Sequence, residues 1–151
     1  MPDRATRLPI ESHFALRNLK AGKRCAEIDR LAVMKEERGS IVPLGLMTLA
    51  YLYAKYYRAE RLFLDVFSDE KMHITMYKKL GFQVVGEYES PSPVTVMMLD
   101  SVTDYERKSQ KMEHFVKPLM SRVIRRLDFQ EEERVKILSA VDLVTSSSVS
   151  D

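Results

Sequence analysis

The chain has 151 residues, of which 45% are hydrophobic and 30% charged, with 24 basic residues (Lys and Arg), 22 acidic residues and one cysteine. This composition is typical of one soluble domain and excludes disordered and fibrous proteins. A net charge of +2 provides no basic excess for nucleic acid, and the single Cys25 excludes an internal disulfide and any multi-cysteine metal site. Residues 1–13 lack the apolar core of a signal peptide, and the apolar stretch 41–57 is too short for a membrane span. We therefore expect a cytoplasmic protein.

The N-terminal quarter of the chain changes pattern at Arg24. Residues 1–23 show no sustained hydrophobic period and are interpreted as an arm packed on the core. Residues 24–34 alternate, which predicts a strand with Glu27 on one face and Arg30 on the other. Because an unpaired buried charge is costly, this strand needs partners for both side chains.

The middle of the chain alternates between helical and strand patterns. In a helix, residues 41–58 would place apolar side chains on nearly every face, which predicts a helix buried on most sides, with Pro43 in its first turn. Residues 61–67 predict a short buried strand, and the next helix is predicted to start with Ser68 or Asp69 as its cap and to end at Gly81. Strands that alternate with helices at this spacing favour parallel pairing in an α/β sheet.

Two further strands and a helical region complete the chain. Residues 82–89 and 94–99 predict strands joined either by an antiparallel hairpin or by a wide loop. Residues 101–145 predict two helices with a long apolar stripe, and residues 146–151 predict a disordered tail. The predicted class is therefore α/β with a mixed sheet, followed by a C-terminal helical extension.

The segments AEIDRLAV, LFLDV and HITMYKKLGFQVVGEY, in this order around an apolar helix, resemble the second half of the GNAT acyltransferase fold. Tyr77, Gly81 and Phe82 match the Tyr-x-x-x-Gly-Phe segment of that superfamily residue for residue. The resemblance implies an acyltransferase core over residues 24–100. The superfamily has further strands before this point, so the chain is interpreted either as a fragment or as a short form completed by a partner chain. The C-terminal helices either cover the first strand or form a homodimer interface.

A narrower resemblance lies in the first strand. Glu27 and Arg30 match the Glu-x-Ser-Arg strand of autoinducer synthases and long-chain N-acyl amino acid synthases, with Asp29 in place of the serine. The resemblance implies an N-acyltransferase that moves a long acyl chain from an acyl carrier protein to the amine of an amino acid or similar small molecule. It implies that Glu27 acts as base or organises the amine, that Arg30 is a structural or acceptor-side charge, and that Tyr77 protonates the leaving thiolate.

The donor-binding segment departs from the coenzyme A pattern. Where coenzyme A users have glycines with free N–H groups for the pyrophosphate, this chain has Ile41 and Pro43, and a proline has no N–H. We therefore expect no tightly bound cofactor and an acyl-phosphopantetheine donor on a carrier protein rather than acyl-coenzyme A. The predicted donor-binding residues are Val33, Met34, Arg38, Gly39 and Ser40. Basic residues expected to meet the acidic carrier are Lys20, Lys23, Arg24 and Lys35.

Structural interpretations stay open for each candidate. Glu27 and Arg30 are equally consistent with a structural ion pair, and Tyr77 with a core aromatic residue. We interpret His73 as a surface histidine and Cys25 as a small buried residue. No metal site is expected, because the three histidines lie far apart in sequence. At the level of function, the alternatives are a catalytically silent module that binds a partner and a conventional acetyl-coenzyme A-dependent N-acetyltransferase.

Overall fold

The structure, a computed structural model, describes residues 7–29, 34–37, 42–100, 130–133, 135–136 and 139. The chain divides into two compact units, the first formed by Met1–Arg30 with Ala59–Lys108 and the second by Leu31–Arg58 with Ser109–Asp151. Our predictions for residues 30–33 and for most of the C-terminal helical extension lie outside the described residues.

The described elements follow the predicted order of strands and helices. Their bounds are α1 (Arg17–Lys20), β1 (Cys25–Ile28), α2 (Val42–Tyr56), β2 (Arg61–Phe67), α3 (Lys71–Lys79), β3 (Gln83–Glu89) and β4 (Pro93–Leu99). Short 3-10 turns at Pro9–Ser12 and Lys35–Glu37 accompany them.

Among the described residues, β1 to β4 form one mixed sheet in the order β1-β2-β4-β3. β1 pairs with β2 in parallel, and β4 pairs antiparallel with both β2 and β3. The predicted mixed α/β sheet is therefore confirmed, and β3 and β4 form the antiparallel hairpin rather than the wide loop. β1 ends at Ile28, earlier than the alternating pattern predicted, and Asp29 lies outside the strand.

One face of the sheet is covered by the N-terminal segment. Leu8, Ile10 and Leu16 pack with Phe63 of β2 and with Val96 and Met98 of β4, and Cys25 of β1 lies against the same group. We call this group the arm cluster. Since side chains alternate along a strand, Glu27 shares the face of Cys25 and points toward the same segment. The arm therefore lies on the first candidate catalytic residue.

Gly86 of β3 lies directly against the ring of Phe14 of the arm. A Cβ at this position would lie 2.4 Å from both Cε2 and Cζ of the Phe14 ring, too close for real atoms. We expect Gly86→Ala to displace the ring and to destabilise the fold by about 1–3 kcal/mol, as overpacking does. Urea denaturation followed by circular dichroism measures this change.

A double-mutant cycle separates this steric effect from a backbone effect. In a Phe14→Ala background the added methyl group meets no ring, so Gly86→Ala is expected to cost clearly less there. An equal cost in both backgrounds would show that the close approach of Phe14 is not the cause.

Helix α3 starts later than the sequence predicted. Glu70 is its N-cap residue, without a side-chain capping bond, so the prediction of Ser68 or Asp69 as cap is wrong. The Ser68 hydroxyl instead shares a hydrogen bond of 2.7 Å with the hydroxyl of Thr95 on β4, which ties it to the sheet. The predicted end is confirmed, because the helix stops at Lys79 and Gly81 adopts a φ of 101°.

The second unit contains helix α2, which confirms the predicted apolar helix and has Pro43 in its first turn. Met47, Thr48, Tyr51 and Ala54 are buried, as a helix that is apolar on several sides requires. Tyr53 and Tyr57 are exposed, and their ring centroids lie 5.1 Å apart in a tilted arrangement.

Candidate active site

Glu27 is held by the N-terminal arm. Its side chain is half-buried, and its Oε2 atom accepts a hydrogen bond of 2.9 Å from the backbone N–H of Ile10. This N–H lies in the first turn of the 3-10 segment Pro9–Ser12, where backbone donors lack partners within the turn. The carboxylate of Glu27 therefore links β1 to the arm and keeps a second oxygen for other chemistry.

The surroundings of Glu27 disfavour its charged form. Burial is the main cause and raises the pKa of the carboxyl above its usual value of 4.5, while the Ile10 N–H opposes this change. The negative charges of Asp65, Asp29 and Glu11 raise the pKa further, in that order. A carboxylate with a raised pKa is a stronger proton acceptor near neutral pH, which is what a general base requires.

The raised pKa makes a testable difference to stability. The folded chain binds the Glu27 proton more tightly than the unfolded chain, so this residue's contribution to stability is complete below pH 4.5 and is lost as the pH rises through the raised value. We expect the stability of Glu27→Gln to rise relative to wild type between pH 4 and pH 7. Urea denaturation of both proteins across this range measures the difference, and a constant difference would contradict the shift.

Two further residues of the sheet, Tyr88 and Asp65, were not singled out from the sequence. The hydroxyl of Tyr88 on β3 donates a hydrogen bond of 2.5 Å to Oδ2 of Asp65 on β2. The ring of Tyr88 also stacks on His13 of the arm, with centroids 5.2 Å apart and ring planes within 6°. The available signal was the aspartate in the middle of the otherwise apolar run of β2, RLFLDVF. A buried apolar strand contains such a charge only where a partner receives it.

Glu11, in the arm, is a second carboxylate that acts on Glu27. Burial raises its pKa, but hydrogen bonds from Lys20 and from the Leu8 N–H outweigh burial, so the net pKa is lowered. The Lys20 Nζ atom lies 2.8 Å from Glu11 Oε2. Glu11 is therefore charged at neutral pH and already engaged, which leaves Glu27 as the better base of the two.

Tyr77 lies in a different side-chain environment from Glu27. It is buried on α3, with its ring centroid 6.0 Å from that of Phe82, and it is not part of the arm cluster. Burial, and then the charge of Glu70, raises the pKa of its hydroxyl. The hydroxyl therefore keeps its proton at neutral pH. No hydrogen bond among the described residues joins Tyr77 to Glu27, so their joint role stays a prediction.

Most of the predicted donor-binding residues lie outside the described residues. This holds for Val33, Arg38, Gly39 and Ser40, and also for Arg30, which was predicted as a structural or acceptor-side charge. Met34 is described and is 74% exposed, and the neighbouring Lys35 is also exposed. Both are thus open to a ligand or partner.

The remaining reactive side chains have structural partners. His73 Nδ1 lies 3.0 Å from Glu70 Oε2 on the surface of α3. Burial raises the pKa of the half-buried Cys25 thiol, which disfavours the nucleophilic thiolate.

Within the described residues, no group of three or more His, Cys, Asp or Glu side chains is arranged to hold a metal ion. No helix among those residues is long and apolar enough to cross a membrane.

The family of the chain follows from comparison with known proteins. The family N-acyl amino acid synthase FeeM matches residues 1–100, about two thirds of the chain. The chain belongs to this family. The FeeM family is a GNAT-like acyltransferase family, so the broader resemblance seen in the sequence is confirmed at this level. Comparison with curated proteins yielded no match.

The FeeM match includes every residue of the geometry described above. Glu27, Asp65, Tyr77 and Tyr88 all lie within residues 1–100, as does the arm that contacts Glu27. Residues 101–151 lie beyond the match. The candidate site is therefore a feature of the FeeM-like part of the chain.

Proposed function

We propose that this protein is an N-acyltransferase that moves a long acyl chain from the thioester of an acyl carrier protein to the amine of an amino acid. The FeeM family match over residues 1–100 carries the proposal. The half-buried Glu27, in a strand that also resembles the acceptor strand of such enzymes, supports it at the level of a residue.

Glu27 acts as the base in this reaction. The amine nitrogen forms a bond to the thioester carbonyl carbon, its proton passes to Glu27, and the bond from carbon to sulfur breaks. The sulfur leaves as a thiolate and takes up a proton to become the free phosphopantetheine thiol. The raised pKa of Glu27 favours the first proton transfer, because it brings the base closer to the operating pH.

Tyr77 supplies the proton to the leaving thiolate in the proposed reaction. Its raised pKa keeps the hydroxyl neutral at the pH of the reaction, which a proton donor requires. Backbone N–H groups between Met34 and Arg38 stabilise the negative charge on the carbonyl oxygen. Arg30 contributes a charge on the acceptor side.

A carrier protein fits this donor segment better than coenzyme A does. Pro43 lies in the first turn of α2, where a coenzyme A user would have a free N–H for the pyrophosphate. Phosphopantetheine on a carrier has one phosphodiester, for which Arg38, Gly39, Ser40 and Val33 are the proposed binding residues. Lys20 and Lys23 already form ion pairs with Glu11 and Glu60, so Arg24 and Lys35 are the better contacts for an acidic carrier.

The proposal is tested by mixing the purified full chain with hexadecanoyl acyl carrier protein and the twenty amino acids. Intact mass spectrometry of the carrier is expected to show loss of the acyl group, and an N-acyl amino acid is expected to appear. A parallel reaction contains acetyl-coenzyme A in place of the carrier. Transfer from acetyl-coenzyme A but not from the carrier would favour a conventional acetyltransferase. If the protein is folded and transfers no acyl group from either donor, a silent binding module is favoured.

A further inference from the structure

Asp65 lies next to Glu27 on the same face of the sheet. Glu27 on β1 is opposite Phe63 on the parallel strand β2, and Asp65 is two residues farther along β2. Residues two apart on a strand point to the same face, so the Asp65 carboxylate lies diagonally across from Glu27. Among the charged groups that act on Glu27, Asp65 has the largest effect.

Tyr88 and the arm hold Asp65 in place. The Tyr88 hydroxyl donates to Asp65 at 2.5 Å, and its pKa is raised by burial and by the neighbouring carboxylates, so it stays a donor. The ring of His13, from the arm, stacks on the Tyr88 ring. The Asp65 carboxylate of β2 is therefore held by a tyrosine of β3, and the arm packs against that tyrosine.

We propose that Asp65, held by the Tyr88 hydroxyl, is a positioning residue for acyl transfer that acts through the neighbouring carboxylate of Glu27. This inference rests on the proposed function. A fixed negative charge beside Glu27 favours its protonated form, so Glu27 takes the amine proton more readily. Taking the proton also removes the repulsion between the two carboxylates, which stabilises the state that follows proton transfer.

The other charged groups around Glu27 have weaker effects or are already paired. Asp29 follows Glu27 on its own segment, and its effect on the pKa of Glu27 is smaller than that of Asp65. Glu11 of the arm has a smaller effect still and is paired with Lys20. Arg61 of β2 pairs with Asp100 and donates to the Leu19 carbonyl oxygen. Asp65 combines the largest effect of these carboxylates on the pKa of Glu27 with a hydrogen bond from a tyrosine of another strand.

Asp65→Asn tests the inference in the full chain. An asparagine oxygen still accepts the Tyr88 hydroxyl, so the fold is retained while the charge is lost. We expect the titration of the Glu27 carboxyl, followed by NMR with 13C-labelled glutamate, to move toward acid, because the charge of Asp65 raises the pKa of Glu27. The acidic side of the pH profile of kcat/KM, measured with hexadecanoyl acyl carrier protein and the amino acid mixture, is also expected to move toward lower pH. The plateau rate is expected to fall about threefold, because a weaker base is less effective.

Two variants act as controls for Asp65→Asn. Asp69→Asn removes an exposed carboxylate in the turn before α3 and is expected to move neither the titration nor the rate profile. Asp65→Glu keeps the charge and is expected to return the acidic side of the pH profile toward its wild-type position. If wild type turns over and Asp65→Asn leaves both profiles unchanged, the inference is wrong and the proposed function stands. If wild-type protein transfers no acyl group, the proposed function fails, and the inference fails with it.

Discussion

Replacing Glu27 with glutamine is expected to lower the rate of acyl transfer at least about 100-fold, the lower end of what a general base contributes. Glutamine has nearly the same shape as glutamate, and its side-chain oxygen can still accept the Ile10 N–H that Glu27 accepts at 2.9 Å. The substitution therefore removes the proton acceptor and keeps the contact with the arm. The measurement is the rate of deacylation of hexadecanoyl acyl carrier protein in the presence of amino acids.

A matched substitution tests whether the loss is specific to Glu27. Glu89→Gln makes the same chemical change at an exposed position at the end of β3 and is expected to leave the rate unchanged. Thermal unfolding of Glu27→Gln is expected to show a folded protein at least as stable as wild type at pH 7, because a disfavoured buried charge is gone. A folded Glu27→Gln protein that keeps more than a third of the wild-type rate would assign Glu27 to anchoring the arm and not to proton transfer.

Phe63→Ala is expected to destabilise the protein by about 3–5 kcal/mol, the usual cost of deleting a fully buried phenylalanine. Phe63 is 0% exposed, lies on β2 between β1 and β4, and belongs to the arm cluster together with Leu8, Ile10 and Leu16. A small domain has a total stability of about 5–15 kcal/mol, so this one change removes a large part of it. Urea denaturation followed by circular dichroism gives the free energy of unfolding.

Phe67 provides the comparison within the same strand. It is 52% exposed at the end of β2, and Phe67→Ala is expected to change stability by about 0.5 kcal/mol or less. The difference between the two variants isolates the contribution of burial under the arm, because residue type and strand are the same. Equal effects of the two substitutions would mean that the arm does not pack on Phe63 in solution.

Local patterns explain why much of the first unit could be predicted. Alternation predicted the strand that contains Glu27, and the structure has this strand as β1, Cys25–Ile28. The apolar helix α2 and the strands β3 and β4 were also predicted, since each pattern depends on neighbours close in sequence. The structure decided that β3 and β4 form an antiparallel hairpin and not a wide loop. The cap of α3 could not be predicted in this way, because the Ser68 hydroxyl forms a hydrogen bond with Thr95, a residue of β4 that is distant in sequence.

For the candidate site too, some features could be predicted from the sequence and others only from the tertiary structure. The sequence by itself determined the element types, the family resemblance and the choice of Glu27, because periodicity and short motifs are properties of contiguous residues. Only the tertiary structure decided that the Ile10 N–H binds Glu27 and that Asp65 is held by Tyr88 with His13 stacked beside it. These contacts follow from the strand order β1-β2-β4-β3 and from the path of the arm across the sheet. Pairing between distant segments depends on how the whole chain packs, which no local pattern specifies.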